Sequence, residues 1–483
     1  MSNVIRTRFA PSPTGYMHIG NLRTAIYEYL VAKTQNGQFI LRIEDTDQAR
    51  LVDGAVDVIY QTLQIVGLDY DEGPDKDGGY GPYVQSERRV LYKEYAEKLV
   101  ELGGAYYCFC TRERLDAARQ NGGSSRYDGF CRDLSKEEIA QRLAAGEPYV
   151  IRQKIPPVGQ AEFYDQVYGH IVVDNSELDE GVLLKTDGLP TYNFANVIDD
   201  HLMDITHVIR GSEYLSSTPK YNLIYQSFQW EIPVYIHLPP IMKSAEKKLS
   251  KREGDASFED FINKGYLKDA IVNYIVLLGW SPGTDEEIFS LEDLKQKFSV
   301  QGLSKSPAIF DPNKLRWMNS EYIRRMAPEE FHRLASPYYQ LLKERNLDGE
   351  KVSRLLQTRV EVLGEIPGML EFLHTLPEYD TELFVHKKMK TDQAVSLPVL
   401  KKIQEALSDF SDWELQPLHD RLMSLVGELG LKNSQVLWPL RVALSGLPSS
   451  PGGAMDLADI LGKTETLRRL ALAIGKLEAH LSA

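Results

Sequence analysis

Val4-Ile5-Arg6-Thr7-Arg8-Phe9-Ala10-Pro11-Ser12-Pro13-Thr14-Gly15-Tyr16-Met17-His18-Ile19-Gly20-Asn21 is the stretch from which the fold is read. Residues 4–9 form a short β-type run. Residues 11–20 are a Pro/Gly loop. Leu22, Ala25, Ile26, Tyr29, Leu30 and Lys33 then fall at helical spacing, with the apolar members on one stripe. Residues 39–43 read as a second strand and 52–66 as a second helix. Strands alternating with helices predict a parallel, doubly wound α/β sheet.

Further along, the rhythm breaks. Residues 103–190 are turn-rich, charged and contain every cysteine, which predicts an inserted α+β subdomain. The α/β rhythm resumes over 192–209 and again over 234–238. Beyond residue 255 the chain reads as almost wholly helical, with amphipathic patterns over 268–278, 328–342, 352–363 and 397–408. A break near 377–390 divides two helical units, and 445–453 reads as a loop. The expected segments are 1–102, 103–190, 191–240, 241–322, 323–380 and 381–483.

With 483 residues, several domains are expected. Hydrophobic residues make up 43% and charged residues 26%, an ordinary globular mix. No apolar run approaches the roughly 18 residues needed to span a membrane. Residues 1–8 are polar and carry no secretory apolar core, so a cytoplasmic location is expected. The charge balance, 55 basic against 69 acidic residues, is −14. That acidity does not exclude nucleic-acid binding, which depends on local basic faces. Such a face is offered by Lys243, Lys247, Lys248, Lys251 and Arg252, which outnumber Glu246.

Two segments suit phosphate chemistry. In the first, Gly20 lets backbone approach a ligand closely, His18 is a donor, and the loop runs into a helix N-terminus whose N–H groups and dipole favour anions. The second is Lys248-Leu249-Ser250-Lys251-Arg252, three cations around a serine, fit to neutralise a triphosphate. Each alone is weak, since a Pro/Gly turn with a surface histidine and a solvated basic loop would look the same.

Together and in this order they resemble the paired H-I-G-H and K-M-S-K-S signatures of class I aminoacyl-tRNA synthetases. Residues 8–15, Ile43-Glu44-Asp45-Thr46-Asp47, the run from Thr191 to Asp200, Val208-Ile209-Arg210-Gly211 and the run from Phe310 to Asn319 narrow the resemblance to the glutamyl/glutaminyl branch. It extends over essentially the whole chain. Two departures are visible, Asn21 for the last His and Leu249 for Met, with Arg252 in the final place. Asn still donates a hydrogen bond and Leu still packs.

The resemblance implies a Rossmann-type catalytic domain, an inserted acceptor-stem-binding subdomain, a stem-contact domain carrying the Lys248–Arg252 loop, and a helical anticodon-binding half. It implies attack of an amino-acid α-carboxylate on the α-phosphorus of ATP. That carboxylate is already ionised, so catalysis reduces to positioning and charge neutralisation, with Mg²⁺ on the leaving pyrophosphate. His18, Lys248 and Lys251 are the implied catalytic residues. ATP contacts are implied for His18, Gly20, Asn21, Glu213, Lys248, Ser250 and Lys251.

A glutamate site needs two cations and one anion. Arg8 and Arg210 can each grip a carboxylate, and Glu44, with Ser12 nearby, can hold the ammonium. Tyr192 and Asn196, spaced i, i+4, would share a helix face. With Ala10, these are the glutamate-binding positions by resemblance. Which arginine meets the substrate side chain is left open, as is a purely structural ion-pairing role for both.

Cys108, Cys110 and Cys131 cluster where related bacterial enzymes carry a zinc knob. A zinc site needs four ligands, and Tyr127 or Asp133 is the available fourth. A knob folded without zinc around free thiols is the competing reading. The all-helical tail is similar to the bacterial glutamyl type, whereas glutaminyl enzymes have β-barrel anticodon domains. It also separates the chain from tRNA-modifying relatives, which lack this third. The intact phosphate-handling residues argue against a non-catalytic tRNA-binding paralogue. tRNA(Glu), ATP and L-glutamate are therefore the expected partners of a monomeric chain. Gly364 stands where discriminating relatives carry an arginine that checks the anticodon, so tRNA(Gln) is an expected second partner.

Overall fold

The computed structural model describes residues 4–122, 126–249 and 257–482. Two compact units emerge. One comprises Met1–Phe261 with Lys268–Pro312, the other Ile262–Leu267 with Asn313–Ala483.

In the first unit the opening strand is Arg6–Phe9, and it pairs in parallel with Gln38–Leu41. The helix Ile19–Lys33 makes the crossover between them. The expected apolar stripe is buried, and so is the opposite side: Arg23, Tyr27 and Glu28 are also shielded from solvent. Packing explains the second face. Tyr27 donates to the carbonyl of Val276 (2.8 Å) and Arg23 to that of Leu278 (2.7 Å), at the end of the helix Lys268–Leu277. A helix covered on both sides needs polar groups that find partners there.

The second strand ends at Leu41 rather than residue 43. The chain nevertheless continues to pair: Ile43 donates to the carbonyl of Tyr83 (2.9 Å), and Gln85 donates to that of Ile43 (3.0 Å). The next helix is Ala55–Val66, three residues later than the pattern suggests, because Gly54 is left-handed (φ 76°) and starts it.

The larger sheet orders its strands as Gly169–Asp174, Gln160–Asp165, Val234–Leu238 and His207–Gly211. The last two are parallel in register from His207↔Val234 to Gly211↔Leu238. Gln160–Asp165 joins in parallel at Asp165↔Tyr235, and its hairpin partner adds an antiparallel edge. The sheet is thus mixed at that edge. Ala105–Cys108, Val150–Gln153 and Val182–Leu184 form a separate antiparallel sheet. The opening strand is tied to the strand at 207–211 through Thr206, whose N–H donates to the carbonyl of Arg6 (3.0 Å). That tie sets Arg8 and Arg210 in one neighbourhood.

The second unit is helical. The pattern over 328–342 resolves into Pro328–Ala335, a 3₁₀ turn Ser336–Tyr338 and Gln340–Glu344. Pro337 lacks an N–H and stops the ladder. The pattern over 352–363 is Gly349–Leu356, capped by the Asp348 carboxylate, with Leu363–Glu365 a 3₁₀ turn. One buried cluster runs through Phe331, Leu356, Leu370, Phe384, Ile403, Leu422, Leu440 and Leu470. Arg469, fully buried, donates to the carbonyls of Phe372 (2.8 Å), Leu373 (3.1 Å) and Leu444 (2.6 Å) and to Glu465 (2.7 Å). It satisfies orphan carbonyls at two helix C-termini.

Candidate active site

His18 is the N-cap of the helix Ile19–Lys33, with an extended backbone (φ −67°, ψ 137°), and its Nδ1 accepts from the Gly20 N–H at 3.0 Å. A neutral ring therefore carries its proton on Nε2. Asn21 is exposed on the first turn. Ser257 pairs with His18 as an isolated antiparallel bridge, and the Phe258 N–H donates to the carbonyl of Met17 at 3.1 Å. The chain thus returns from the second signature directly onto the first. Lys248 is exposed and bridges Met242, and the Leu249 N–H donates to the carbonyl of Ile241 at 3.2 Å. Ser250, Lys251 and Arg252 lie outside the described residues. Glu213 is exposed just beyond the strand His207–Gly211, where its side chain folds over Gly211 and leaves no room for a Cβ there.

Arg8 is buried and already engaged. Its Nε and Nη2 donate to the two oxygens of Asp200 (2.9 and 3.2 Å). Its Nη1 makes only long contacts, 3.4 Å to Glu28 and 3.4 Å to the carbonyl of Ile209. Arg42 lies beneath, donating to Asp200 (2.8 Å) and Glu44 (3.2 Å). Burial works against the charge of Arg42, but Asp200, Asp199 and Glu44 hold its pKa well above the usual value. Burial pushes the Glu44 carboxyl up to about 7, with Arg42 and Arg8 pulling the other way. The Glu44 N–H donates to the carbonyl of Pro11 (3.0 Å), which ties it to the loop of Ala10 and exposed Ser12.

Arg210 is equally buried, yet no described carboxylate pairs with it. Its Nε donates to His237 Nε2 (3.1 Å) and its Nη2 to Thr218 Oγ1 (2.8 Å). The rings of Tyr214, Tyr221 and Tyr235 flank the guanidinium at 5.3, 4.8 and 5.4 Å. Tyr192 packs on Tyr214 with ring centroids 5.3 Å apart. Burial, with Glu44 adding, holds the Tyr192 phenol well above its usual pKa, so it stays a neutral hydrogen-bonding group. Asn196 is buried one turn on and donates to the carbonyl of Tyr192 (2.8 Å). Both arginines, Glu44, Tyr192 and Asn196 therefore converge on one region.

Sequence reasoning did not find Arg42, Asp200, Thr218 or His237. The adjacent acids Asp199-Asp200 closing the apolar run Phe194–Ile198 were a readable sign of a buried anion. The partners of Arg210 left none: His237 reaches it only through the sheet, and Thr218, eight residues on, reads as an ordinary helix-start residue.

The three cysteine sulfurs lie within 4.8 Å of one another. The Tyr127 hydroxyl is 3.3 Å from Cys108 Sγ and 3.3 Å from Cys110 Sγ, and it accepts from the Cys131 N–H at 3.0 Å. Asp133 points to solvent, its side chain 87% exposed, and reaches only Lys154 at 3.9 Å. Of the two available fourth ligands, Tyr127 stands at the sulfurs. Burial pushes the Cys110 thiol up to about 12. At Cys108 burial acts the same way, but the Tyr127 hydroxyl and Arg152 override it and lower the pKa. Three sulfurs around one oxygen suit a zinc ion, which demands thiolates.

Residues 4–317 match the family of tRNA synthetases class I (E and Q), catalytic domain, and residues 330–474 match an anticodon binding domain. The chain is 59% identical to a glutamate–tRNA ligase of Clostridium botulinum, over 99% of this chain and 100% of that one. It is 59% identical to the glutamate–tRNA ligase of Clostridium tetani, over 99% of each. The crystal structure of a glutamate tRNA ligase from Elizabethkingia meningosepticum, in complex with its amino acid, superposes with a TM-score of 0.88 at 35% identity, covering 98% of this chain and 99% of that one. The enzyme from Elizabethkingia anophelis gives 0.88 at 34%, covering 98% and 100%. A catalytic-domain match over most of the chain and near-complete coverage of these relatives establish that the chain belongs to the glutamate–tRNA ligase family of class I tRNA synthetases.

Proposed function

We propose that this chain activates L-glutamate with ATP as glutamyl-adenylate and transfers the glutamyl group to the 3′ end of tRNA(Glu). The observation that carries this reading is the buried Arg210, charged and without a described acidic partner, beside Glu44, Tyr192 and Asn196. Such a cation calls for an anionic ligand. Arg210 takes one substrate carboxylate. Arg8 supplies the second cation by exchanging its long Nη1 contacts for the other. Glu44 holds the ammonium, and Ala10 and Ser12 line the loop above it.

ATP lies at the start of the helix Ile19–Lys33. The His18 Nε2–H and the helix N–H groups meet phosphate oxygens, and Gly20 allows close approach. Glu213 and Asn21 contact the nucleoside side of the site. Lys248 and Lys251 neutralise the triphosphate, and the Ser250 hydroxyl donates a hydrogen bond to it. Mg²⁺ carried by ATP supplies further charge neutralisation on the leaving pyrophosphate. The α-carboxylate attacks without a general base, so the barrier falls through positioning and electrostatics.

Three finer points belong to the same reading. Cys108, Cys110, Tyr127 and Cys131 hold a zinc ion. The chain works in the cytoplasm, in keeping with the lack of any described helix long and apolar enough to cross a membrane. It also glutamylates tRNA(Gln): a Cβ on Gly364 would collide with the Lys264 carbonyl, so this position presents no side chain to an anticodon. Packing alone already requires that glycine, and the charging assay decides.

That assay offers purified tRNA(Glu) and tRNA(Gln) with glutamate and with glutamine. Glutamate on tRNA(Glu) is expected. Glutamine on either tRNA, or no charging, would overturn the main reading, and no glutamate on tRNA(Gln) would overturn the broader tRNA range.

A further inference from the structure

Arg210 owes its bare charge to how it is held. Its two bonded nitrogens meet neutral acceptors, His237 Nε2 (3.1 Å) and Thr218 Oγ1 (2.8 Å). Behind the imidazole, His237 Nδ1 lies 2.7 Å from Asp165 Oδ2, both side chains fully buried. Asp165 is an acceptor throughout. Its Oδ2 also takes the His237 N–H (3.0 Å), and its Oδ1 takes the N–H groups of Val167 (2.9 Å) and Tyr168 (2.8 Å). A carboxylate saturated by donors fixes the imidazole proton on Nδ1, and only then does Nε2 present a lone pair to Arg210. Burial lowers the His237 pKa, with Arg210 acting in the same direction against the pull of Asp165, so the ring is neutral near pH 7. Thr218 Oγ1 lies 2.8 Å from the Tyr214 carbonyl and 3.2 Å from His237 Nε2; donating its hydrogen along the shorter contact, to the carbonyl, leaves it an acceptor toward the guanidinium.

We propose that Asp165, His237 and Thr218 are positioning residues which orient Arg210 through neutral acceptors only, and so reserve its charge for the anionic side chain of the amino acid over the amide of glutamine. The proposal rests on the reading that Arg210 grips a substrate carboxylate, and takes it to be the side-chain one, since glutamine shares the α-carboxylate. The alternative construction is visible next door, where Asp200 takes two of the three guanidinium nitrogens of Arg8. Asp165 acts here at one remove. An aspartate placed directly on Arg210 would fix it as firmly but cancel the charge that selects the substrate.

The test uses the full chain in tRNA charging. His237→Phe keeps the ring volume and removes the acceptor. Its expected effect is a glutamate KM raised about 10- to 100-fold, from one misplaced charge-assisted contact. The ATP KM and kcat stay within about twofold, and the preference for glutamate over glutamine shrinks about tenfold or more. His237→Gln, whose amide can donate to Asp165 and accept from Arg210, restores the glutamate KM to within about threefold. Thr218→Val, nearly isosteric, also raises the glutamate KM and keeps the test alive should His237→Phe not fold. A wild-type glutamate KM in either His237→Phe or Thr218→Val overturns the proposal. So does an ATP KM that rises in step with that of glutamate, or a His237→Gln chain no better than His237→Phe. Arg210→Leu separates the layers. If it leaves the glutamate KM unchanged, the underlying assignment of Arg210 fails; if it raises that KM while His237→Phe does not, the relay alone fails.

Discussion

Arg8 and Arg210 come from strands joined at Thr206, and both are buried, yet their surroundings are built on opposite rules. Around Arg8 and Arg42 stand Glu28, Glu44 and Asp200, each within hydrogen-bonding distance of a guanidinium nitrogen. Around Arg210 stand a neutral imidazole, a hydroxyl and three tyrosine faces. The first is largely answered from within the protein, and Arg8 keeps only its Nη1, on two 3.4 Å contacts, to offer a substrate. The second is left open, and an open buried cation is a place for an anionic ligand. A buried charge points to a ligand most plainly where no internal partner answers it.

The comparison can be broken most sharply at Asp200. Asp200→Ala removes the carboxylate that Arg8 and Arg42 share, leaving Arg8 a 3.4 Å contact to Glu28 and Arg42 its pairs with Glu44 and Asp199, and breaking a buried pair costs about 3–5 kcal/mol. Denaturant unfolding should show that loss, and a loss under about 1 kcal/mol would mean the network is not structural. Next in size, Arg210→Ala should cut kcat/KM for glutamate about 100-fold while leaving the unfolding free energy within about 1 kcal/mol of wild type.

Glu44 sharpens the boundary between the two regions. Its carboxyl is raised to about 7, so it is largely protonated below that pH and ionised above it. Only the ionised form balances the substrate ammonium. The glutamate KM should therefore fall as pH rises, about tenfold between roughly pH 6 and 8. A KM flat across that range in the wild-type chain, with the same profile in Glu44→Gln, would remove Glu44 from the site. The last effect, on metal affinity rather than on charging, is expected at the cysteine cluster. Chain purified without chelator should hold about one zinc, and Tyr127→Phe should weaken it by about 10- to 100-fold. A zinc content of zero, or an affinity indifferent to Tyr127, would return the knob to free thiols.

Much of this was legible in the sequence, for identifiable reasons. The opening strand, loop and helix follow from local periodicity, and the run from Thr191 to Asp200 gives Tyr192 and Asn196 one helical face. The second buried side of the helix Ile19–Lys33 was not legible, because Arg23 looks like a solvent residue until another helix covers it, and Glu28 until the opening strand brings Arg8 to it. The break at Pro337 was available but was outvoted by an amphipathic pattern on either side. Tyr127 and Asp133 could not be separated by spacing, since the choice depends on a side-chain direction. The set around Arg210 was invisible for a different reason. His237 meets Arg210, and brings Asp165 behind it, only once the parallel pairing His207↔Val234 is made, and Thr218, eight residues from Arg210, looks like an ordinary helix-start residue.

The most direct measurement compares Arg210→Ala with Asp200→Ala for both glutamate KM and unfolding free energy. Arg210→Ala is expected to lose glutamate affinity by about two orders of magnitude at nearly unchanged stability, and Asp200→Ala to lose stability first. A wild-type glutamate KM in Arg210→Ala, or a stability loss there equal to that of Asp200→Ala, would contradict that expectation.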